Sequence, residues 1–569
     1  LGLEVEEVIN PLETLKDFTV GYVAKSRKHP DADKLKICEV ETDEGKLNII
    51  CGAPNARKGI YVVVAKPGVY VPGIDATIGV GKIRGVESYG MMCSEREMGL
   101  SNEHNGIIEL KDEPVVGSKF TDYLSNHNPS AVDPIIEIAI TPNRPDALGV
   151  RGIARDLAAR GIGVLKPAHT PTISAMQKNT IKIKINDDVL ENGCPVFYSC
   201  MIRGVKNRPS PKWLRDRIES IGLRSISSLV DITNFFTMDR GRPLHVFDSD
   251  KIEGSLRISF AEGNESIDAL DEKNYNLPKD SMIISDASGI ISIAGIMGGV
   301  STSCSENTIN ILLESAYWDP ITIAKAGRSL KINSDARYRF ERGVDPDFTK
   351  DGIMLGAQMI MDLCGGTASN IVETGKIPNS YREYKLDPNR VQSLVGMEID
   401  QKIQMEILTS LGFDFNDGIV APPPWRPDIL GEADLVEEIA RVSSLTKLRG
   451  IPLPKLKERK TSSNLTPIQK RESVIRREVA SLGYNECVTY SLVDKKSALM
   501  FGGGSDQTKL ENPISSDMSH MRPSLLPGLL QAVSRNQARG ILDMSLFEIG
   551  PVFHGGEPDD QEILATGIL

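Results

Sequence analysis

At 569 residues the chain is too long for one hydrophobic core and is expected to divide into roughly three to five domains. Apolar residues make up 40% and charged residues 25%, no apolar run reaches the ~18–20 residues that span a bilayer, and the start LGLEVEEVIN has no signal-peptide pattern. These features argue against a membrane-spanning helix, no secretory leader is expected, and the net charge of −11 leaves nucleic-acid binding to local basic surface.

The eight cysteines are scattered without a C-x-x-C pair and the seven histidines without H-E-x-x-H. That pattern points away from zinc ribbons and disulfide frameworks and toward a reducing, cytoplasmic setting. The first residue is not Met, so the native chain is expected to begin earlier.

Residues 15–122 predict a β-rich barrel or sandwich. Phe18–Ala24, Leu35–Thr42, Leu47–Cys51 and Ile60–Lys66 are Val/Ile-rich runs punctuated by Gly, Pro and Asn. Lys34, Lys36, Arg57 and Lys58 could form a stripe for a phosphate backbone, although a solvated barrel surface has the same composition. In TPNRPDALGVRGIARDLAARG the prolines break the chain before a helix over Leu148–Arg160, ending at Gly161. Polar residues near 167–179 read as a linker.

The central α+β region, 180–375, carries the densest chemistry. DITNFFTMDRGRPLHVFD gathers Thr233, Asn234 and His245 around the turn residues Gly241 and Pro243. IAGIMGGV supplies Gly295, Gly298 and Gly299, where backbone can approach a ligand closely, and LLESAYWDP sets one carboxylate, Glu314, in an apolar run. Polar groups in apolar walls are the usual build of a small-molecule pocket. Taken singly, a loop histidine is more often structural, a lone strand glutamate more often faces outward, and a glycine pair is usually a turn. Their joint order is what carries weight.

Residues 376–450 form a smaller unit with a helix at Ile399–Leu411 and, in PPPWRPDILGEADLVEEIARV, the carboxylates Asp428, Asp434, Glu437 and Glu438. On a helix, positions 434, 437 and 438 fall on one face, an arrangement compatible with Mg²⁺ or simply with acidic residues near a helix N-terminus. The last part, 460–569, alternates helix and strand, with a helix near Leu526–Gln537 and the strand SLFEIGPVF. No P-loop or G-x-G-x-x-G is present; Gly79, Gly81 and Gly85 have the wrong spacing.

Several of these motifs resemble, nearly residue for residue, the bacterial phenylalanyl-tRNA synthetase β subunit. HPDADKLKICEV, CGAPNARKG and GVESYGMMCSEREMGL are similar to its tRNA-binding OB-fold, and TPNRPD matches a further signature. The run from Asp231 to Pro346, ending ARYRFERGVDP, resembles its editing region.

The resemblance implies a multidomain α+β chain. It would comprise an N-terminal α+β domain (1–14 and 123–165), the OB-fold (15–122), an editing domain (180–375), a small helical or winged domain (376–450) and an incomplete, non-catalytic class II synthetase-like domain (460–569). It further implies that His245, Glu314, Thr233 and Asn234 act in hydrolysis of mischarged Tyr-tRNA(Phe). Gly295, Gly298, Ser334 and Ala336 would line the amino-acid pocket, Ser334 standing where many relatives have Thr.

By the same resemblance, Asp428, Asp434, Glu437 and Glu438 would bind Mg²⁺ beside an α subunit that uses ATP. The assembly would be α₂β₂ with tRNA(Phe), with no membrane and no DNA expected. Arg522 is expected to be structural, and the chain stops before the anticodon-binding domain that ends full-length relatives. A non-catalytic tRNA-binding scaffold is the alternative reading; it needs no proximity of Glu314 to His245.

Overall fold

The computed structural model describes residues 1–101, 103–453 and 465–569. The start of the expected last domain, 460–464, lies outside the described residues. Two compact units are present, Leu1–Gly450 and Ile451–Leu569. The observed class is mixed α+β.

In the first unit the strand Glu4–Ile9 pairs antiparallel with Ile135–Ala139, so the chain before and after the β-rich module comes together. Between them, Met91–Met92, Tyr61–Ala65, Thr19–His29, Ala32–Thr42 and Gly45–Cys51 are neighbours in that order. Glu109–Leu110 adds a second partner to Tyr61–Ala65. The four runs predicted from Val/Ile content are the four longest strands of this β-rich module. The first extends farther than expected because the hairpin at His29–Ala32 continues the pairing.

The helix predicted to start at Leu148 spans Val150–Ala159. Pro145–Ala147 is spent on a single 3₁₀ turn, and Gly161 takes φ +84°, a conformation that suits glycine. No helix or strand occurs between this helix and Ile183.

Two sheets stack in the central region. One runs Ile183–Ile185, Leu256–Phe260, Met282–Ser285, Ile290–Ile293, Met297–Gly298. The other has Asn310–Tyr317 between His245–Asp248 and Val196–Arg203, and the latter also pairs with Thr367–Ala368 and Val372–Gly375. Alternation along these strands sorts the cores. Phe197, Met201, Phe247, Leu312 and Ala316 join the core shared with the first sheet. Val196, Tyr198, Cys200, Val246, Ile311 and Leu313 face the helices Ser228–Arg240 and Phe348–Cys364.

Next along the chain, a three-stranded sheet packs with the helices Arg390–Val395, Gln401–Ser410 and Glu432–Ser443. In the second unit the strand Leu546–Phe553 pairs with Asn485–Glu486 and Gln561–Ile568, and the helix Leu526–Gln537 packs on it through Leu529. Arg522 is buried there, 2.6 Å from Glu548, and also donates to the Pro551 carbonyl, so its role is structural. All eight cysteines are free thiols. Among the described residues no helix is long and apolar enough to cross a membrane.

Candidate functional site

His245 and Glu314 stand directly opposite one another on adjacent antiparallel strands, and Ser199 stands opposite Glu314 on its other side. The period-2 rule puts all three on the face that packs toward the other sheet, the face of Phe247, Leu312 and Ala316. Glu314 is therefore not the outward-facing strand residue that base expectation favours; it is 5% exposed. One of its carboxyl oxygens, Oε2, is shielded from solvent and has no hydrogen-bond partner among the described residues.

Burial pushes the Glu314 pKa up to about 8, so at neutral pH the group is mostly a neutral acid. Burial also pushes His245 down to about 4, leaving a neutral imidazole. A neutral acid beside a neutral imidazole offers donors and acceptors without net charge. A base this weak positions a water or hydroxyl better than it abstracts a proton.

The glycine-rich turn closes over His245. A Cβ on Gly298 would lie 2.6 Å from His245 Cε1, so glycine at this position is what lets the imidazole approach the turn. Gly295 has φ +66°, and a Cβ there would meet Trp318 Cδ1 at 2.7 Å. Ser334 caps the helix Asp335–Phe340 by accepting from the Arg337 N–H, and its hydroxyl donates to the Ile296 carbonyl at 2.7 Å. Ala336 packs against the same core. Thus His245, Glu314, Gly295, Gly298, Ser334 and Ala336 gather around one turn.

Thr233 and Asn234 have a different setting. Both lie on the helix Ser228–Arg240, and the Thr233 hydroxyl donates to the Val230 carbonyl of its own helix. Ser199 was missed from sequence because it sits inside the apolar run VFYSCMIR. Only the strand register shows it next to Glu314; its Oγ accepts from Asn179 Nδ2.

The four carboxylates to which the resemblance assigns Mg²⁺ each have a separate setting. Glu438 is 1% exposed and is bound by Arg426 and Arg441. Asp428 takes a fork-like pair of bonds from Arg426 at 2.8 and 2.7 Å. Asp434 accepts from the backbone N–H groups of Leu430 and Gly431 at the helix start, and Glu437 is exposed on the outer face. The residues at 437 and 438 diverge because adjacent helical positions are ~100° apart.

Among the described residues no group of three or more His, Cys, Asp or Glu is disposed to hold a metal ion. Arg426 lies between Asp428 and Glu438 and pairs with both. The network extends to Arg144, Asp146 and Asp156, with Arg155 at its edge, 3.8 Å from Asp146. Burial weighs against Arg144 and Arg426, yet hydrogen bonds to Asp146, Asp428 and Glu438 raise both above the ordinary arginine value. Opposed by burial, the bonds from Arg441 and Arg426 hold Glu438 low.

On the β-rich module, Lys34 and Lys58 are exposed. Lys36 instead donates to the Pro54 and Ala56 carbonyls, and Arg57 forms a two-bond pair with Glu109.

Family models match four stretches: a tRNA-binding domain at residues 18–119, a B3/4 domain at 193–365, a tRNA synthetase B5 domain at 384–444 and a phenylalanyl tRNA synthetase beta chain CLM domain at 451–568. The phenylalanine–tRNA ligase beta subunit of Ruegeria pomeroyi is 59% identical over 569 residues, covering 100% of this chain and 71% of that protein. Those of Cereibacter sphaeroides and Paramagnetospirillum magneticum are 54% and 47% identical, again covering all of this chain and 71% of each relative. The cross-strand acid–histidine pair lies within the B3/4 stretch, and the chain belongs to the phenylalanine–tRNA ligase beta subunit family.

Proposed function

We propose that this chain serves as the β subunit of a phenylalanine–tRNA ligase and that the pocket around Glu314 hydrolyses Tyr-tRNA(Phe). In this reading an α subunit charges tRNA(Phe) with phenylalanine using ATP, in an α₂β₂ assembly working in the cytoplasm. The module at 18–119 is an OB-type barrel that carries tRNA, with exposed Lys34 and Lys58 as its first phosphate contacts. The second unit is a class II synthetase-like scaffold without an aminoacylation site.

One observation carries the editing part: a buried carboxylic acid with an unpartnered oxygen, directly across from a histidine that packs against a glycine turn. Tyrosine differs from phenylalanine by one hydroxyl. A merely apolar pocket discriminates weakly against such an addition, whereas a site that hydrogen-bonds it selects for it strongly. Glu314 meets the phenol as a neutral acid. Phenylalanine leaves the orphaned oxygen unsatisfied, at a cost of ~1–3 kcal/mol. His245, neutral and held against Gly298, positions the attacking water or the terminal ribose. Thr233 and Asn234 act from the neighbouring helix once substrate is bound.

The test compares hydrolysis of Tyr-tRNA(Phe) and Phe-tRNA(Phe) by the αβ complex, with wild-type chain and with Glu314→Ala. Fast deacylation selective for Tyr, with selectivity collapsing in the variant, is the expected result. No deacylation above background by the wild-type complex would leave a tRNA-binding scaffold as the better account.

A further inference from the structure

The β-rich module carries a ribbon outside its main sheet. Val80–Ile83 pairs antiparallel with Val86–Tyr89 across a two-residue turn at Arg84 and Gly85, where φ is +46° and +87°. The ribbon is exposed except for Val86, which is half-buried, and Ser88, which is buried. The Ser88 hydroxyl accepts from the Ile50 N–H at 3.0 Å and donates to the Gly90 carbonyl, tying the base of the ribbon to the strand Gly45–Cys51. A two-stranded ribbon is marginal in water by itself, so its tip needs a second hold.

His29 supplies that hold. The ring is 4% exposed and stands beside the Pro30–Asp31 turn that joins the strands Thr19–His29 and Ala32–Thr42. Its Nδ1 accepts from the Asp31 N–H at 3.1 Å, so the proton sits on Nε2, which donates to the Ile83 carbonyl at 3.3 Å. One buried imidazole thus closes its own hairpin turn and clasps the tip of the ribbon.

The two tips brought together carry cations without counter-groups. Lys28 and Lys34 flank the first turn, and Lys82 and Arg84 lie at the second. All four are exposed, and among the described residues none of them makes a side-chain hydrogen bond or an ion pair. Other basic residues of the module are engaged: Lys25 and Lys46 with Glu39, Arg57 with Glu109, and Lys66 with Asp43 and Glu44. Acids are present at the tips as well. Asp31 and Asp33 are exposed on the first, and Glu87, opposite Lys82 in the register, accepts from the Tyr89 hydroxyl at 2.6 Å. They lower the net charge of the surface without bonding its four cations. Exposed cationic donors at fixed separation suit the sugar–phosphate backbone of RNA, which repeats an anionic acceptor at every nucleotide.

We propose that the Val80–Tyr89 ribbon is an RNA-backbone arm: Lys82 and Arg84, held beside Lys28 and Lys34 by the His29 clasp, form one phosphate-binding surface. His29 is buried and acts as a positioning residue, through the place it gives the ribbon. The proposal rests on the reading of residues 18–119 as the tRNA-carrying module, and it adds a second hairpin and the side chain that sets it.

Binding of a tRNA(Phe) transcript to the αβ complex, followed by fluorescence anisotropy over a series of salt concentrations, tests the arm. Lys82→Gln combined with Arg84→Gln should weaken binding about tenfold and lower the salt slope by about two. His29→Ala should lower both affinity and salt slope although it removes no lysine or arginine. His29→Gln keeps a donor for the Ile83 carbonyl and should restore binding, whereas His29→Asn, too short to reach it, should not. Lys46→Gln, whose lysine is already paired, should bind as wild type does. If His29→Ala fails to fold, the two exposed ribbon substitutions decide the matter. Weaker binding by His29→Ala with a wild-type salt slope would make His29 merely structural and overturn the clasp. Wild-type binding by the ribbon and His29 variants, with weakened binding by Lys34→Gln combined with Lys58→Gln, overturns the arm and leaves the tRNA-carrying reading standing. Binding weakened by none of these substitutions overturns both.

Discussion

Two buried carboxylates, Glu314 and Glu438, live in opposite worlds within the same unit. Glu438 is gripped by Arg426 and Arg441 and stays ionised, its pKa held low. Glu314 has no cation beside it, keeps a bare oxygen, and is pushed up to about 8. Both are inward-facing acids in apolar segments, so burial alone does not separate structure from function. Saturation of the partners does. A fully paired network holds elements together, whereas a buried polar atom without a partner keeps hydrogen-bonding capacity that a ligand could use.

The comparison breaks most visibly at the saturated end. Glu438→Ala removes the carboxylate that Arg426 and Arg441 share and leaves them chiefly Asp428 and Asp156, and breaking a buried pair from one side costs about 3–5 kcal/mol. A marked fall in the urea or thermal midpoint is the expected outcome. A change within the range of ordinary surface substitutions would mean that the network contributes little.

At Glu314 the sign reverses. The folded-state pKa of Glu314 lies above its ordinary value of 4.5, so the unfolded chain gives up this proton at lower pH than the folded chain. Folding is therefore penalised increasingly as pH rises from about 4.5 to about 8, by roughly 3 kcal/mol at pH 7. Glu314→Gln removes the titration, so its stability relative to wild type should improve between pH 5 and pH 8 while Tyr-over-Phe selectivity falls. Melting curves of both proteins at the two pH values check this. A pH-independent difference would show that Glu314 is ionised in the folded protein.

A third substitution sharpens the geometry. Gly298→Ala puts a Cβ 2.6 Å from His245 Cε1, so the imidazole must move. Misplacement on the scale of an ångström costs on the order of 10²-fold in rate. Tyr-tRNA(Phe) hydrolysis should fall by about that factor with the overall melt little altered, and unchanged hydrolysis would remove His245 from the reaction.

How much of this contrast was legible in the sequence depended on the range of the interaction. Punctuated Val/Ile runs and one amphipathic helix gave local elements: the helix expected near Leu526–Gln537 spans those residues, and Ile399–Leu411 is shortened only to Gln401–Ser410. Motif order drew attention to His245, Glu314 and Gly298 together. What stayed hidden was pairing across distance. The spacing of 434, 437 and 438 suggested one acidic face because a helical wheel knows nothing of Arg426 or Asp156, which arrive from other segments to pair with Asp428, Glu438 and Arg441. Ser199 was invisible for the same reason, since its significance lies in a register between strands more than a hundred residues apart.

The smallest effects fall on the two acids that neither end of the comparison claims. Asp434 accepts two backbone N–H groups where the helix Glu432–Ser443 begins, so Asp434→Ala exposes unsatisfied donors and should cost about 1 kcal/mol, as loss of a helix cap does. Glu437 is exposed on the outer face, and Glu437→Gln should stay within about 0.5 kcal/mol of wild type. Because Arg426 already supplies the positive charge between Asp428 and Glu438, adding Mg²⁺ should shift the melting of wild type and both variants alike. A Mg²⁺-dependent stabilisation lost in both Asp434→Ala and Glu437→Gln would mean that these side chains regroup around a cation, with the arginine pairs yielding to it.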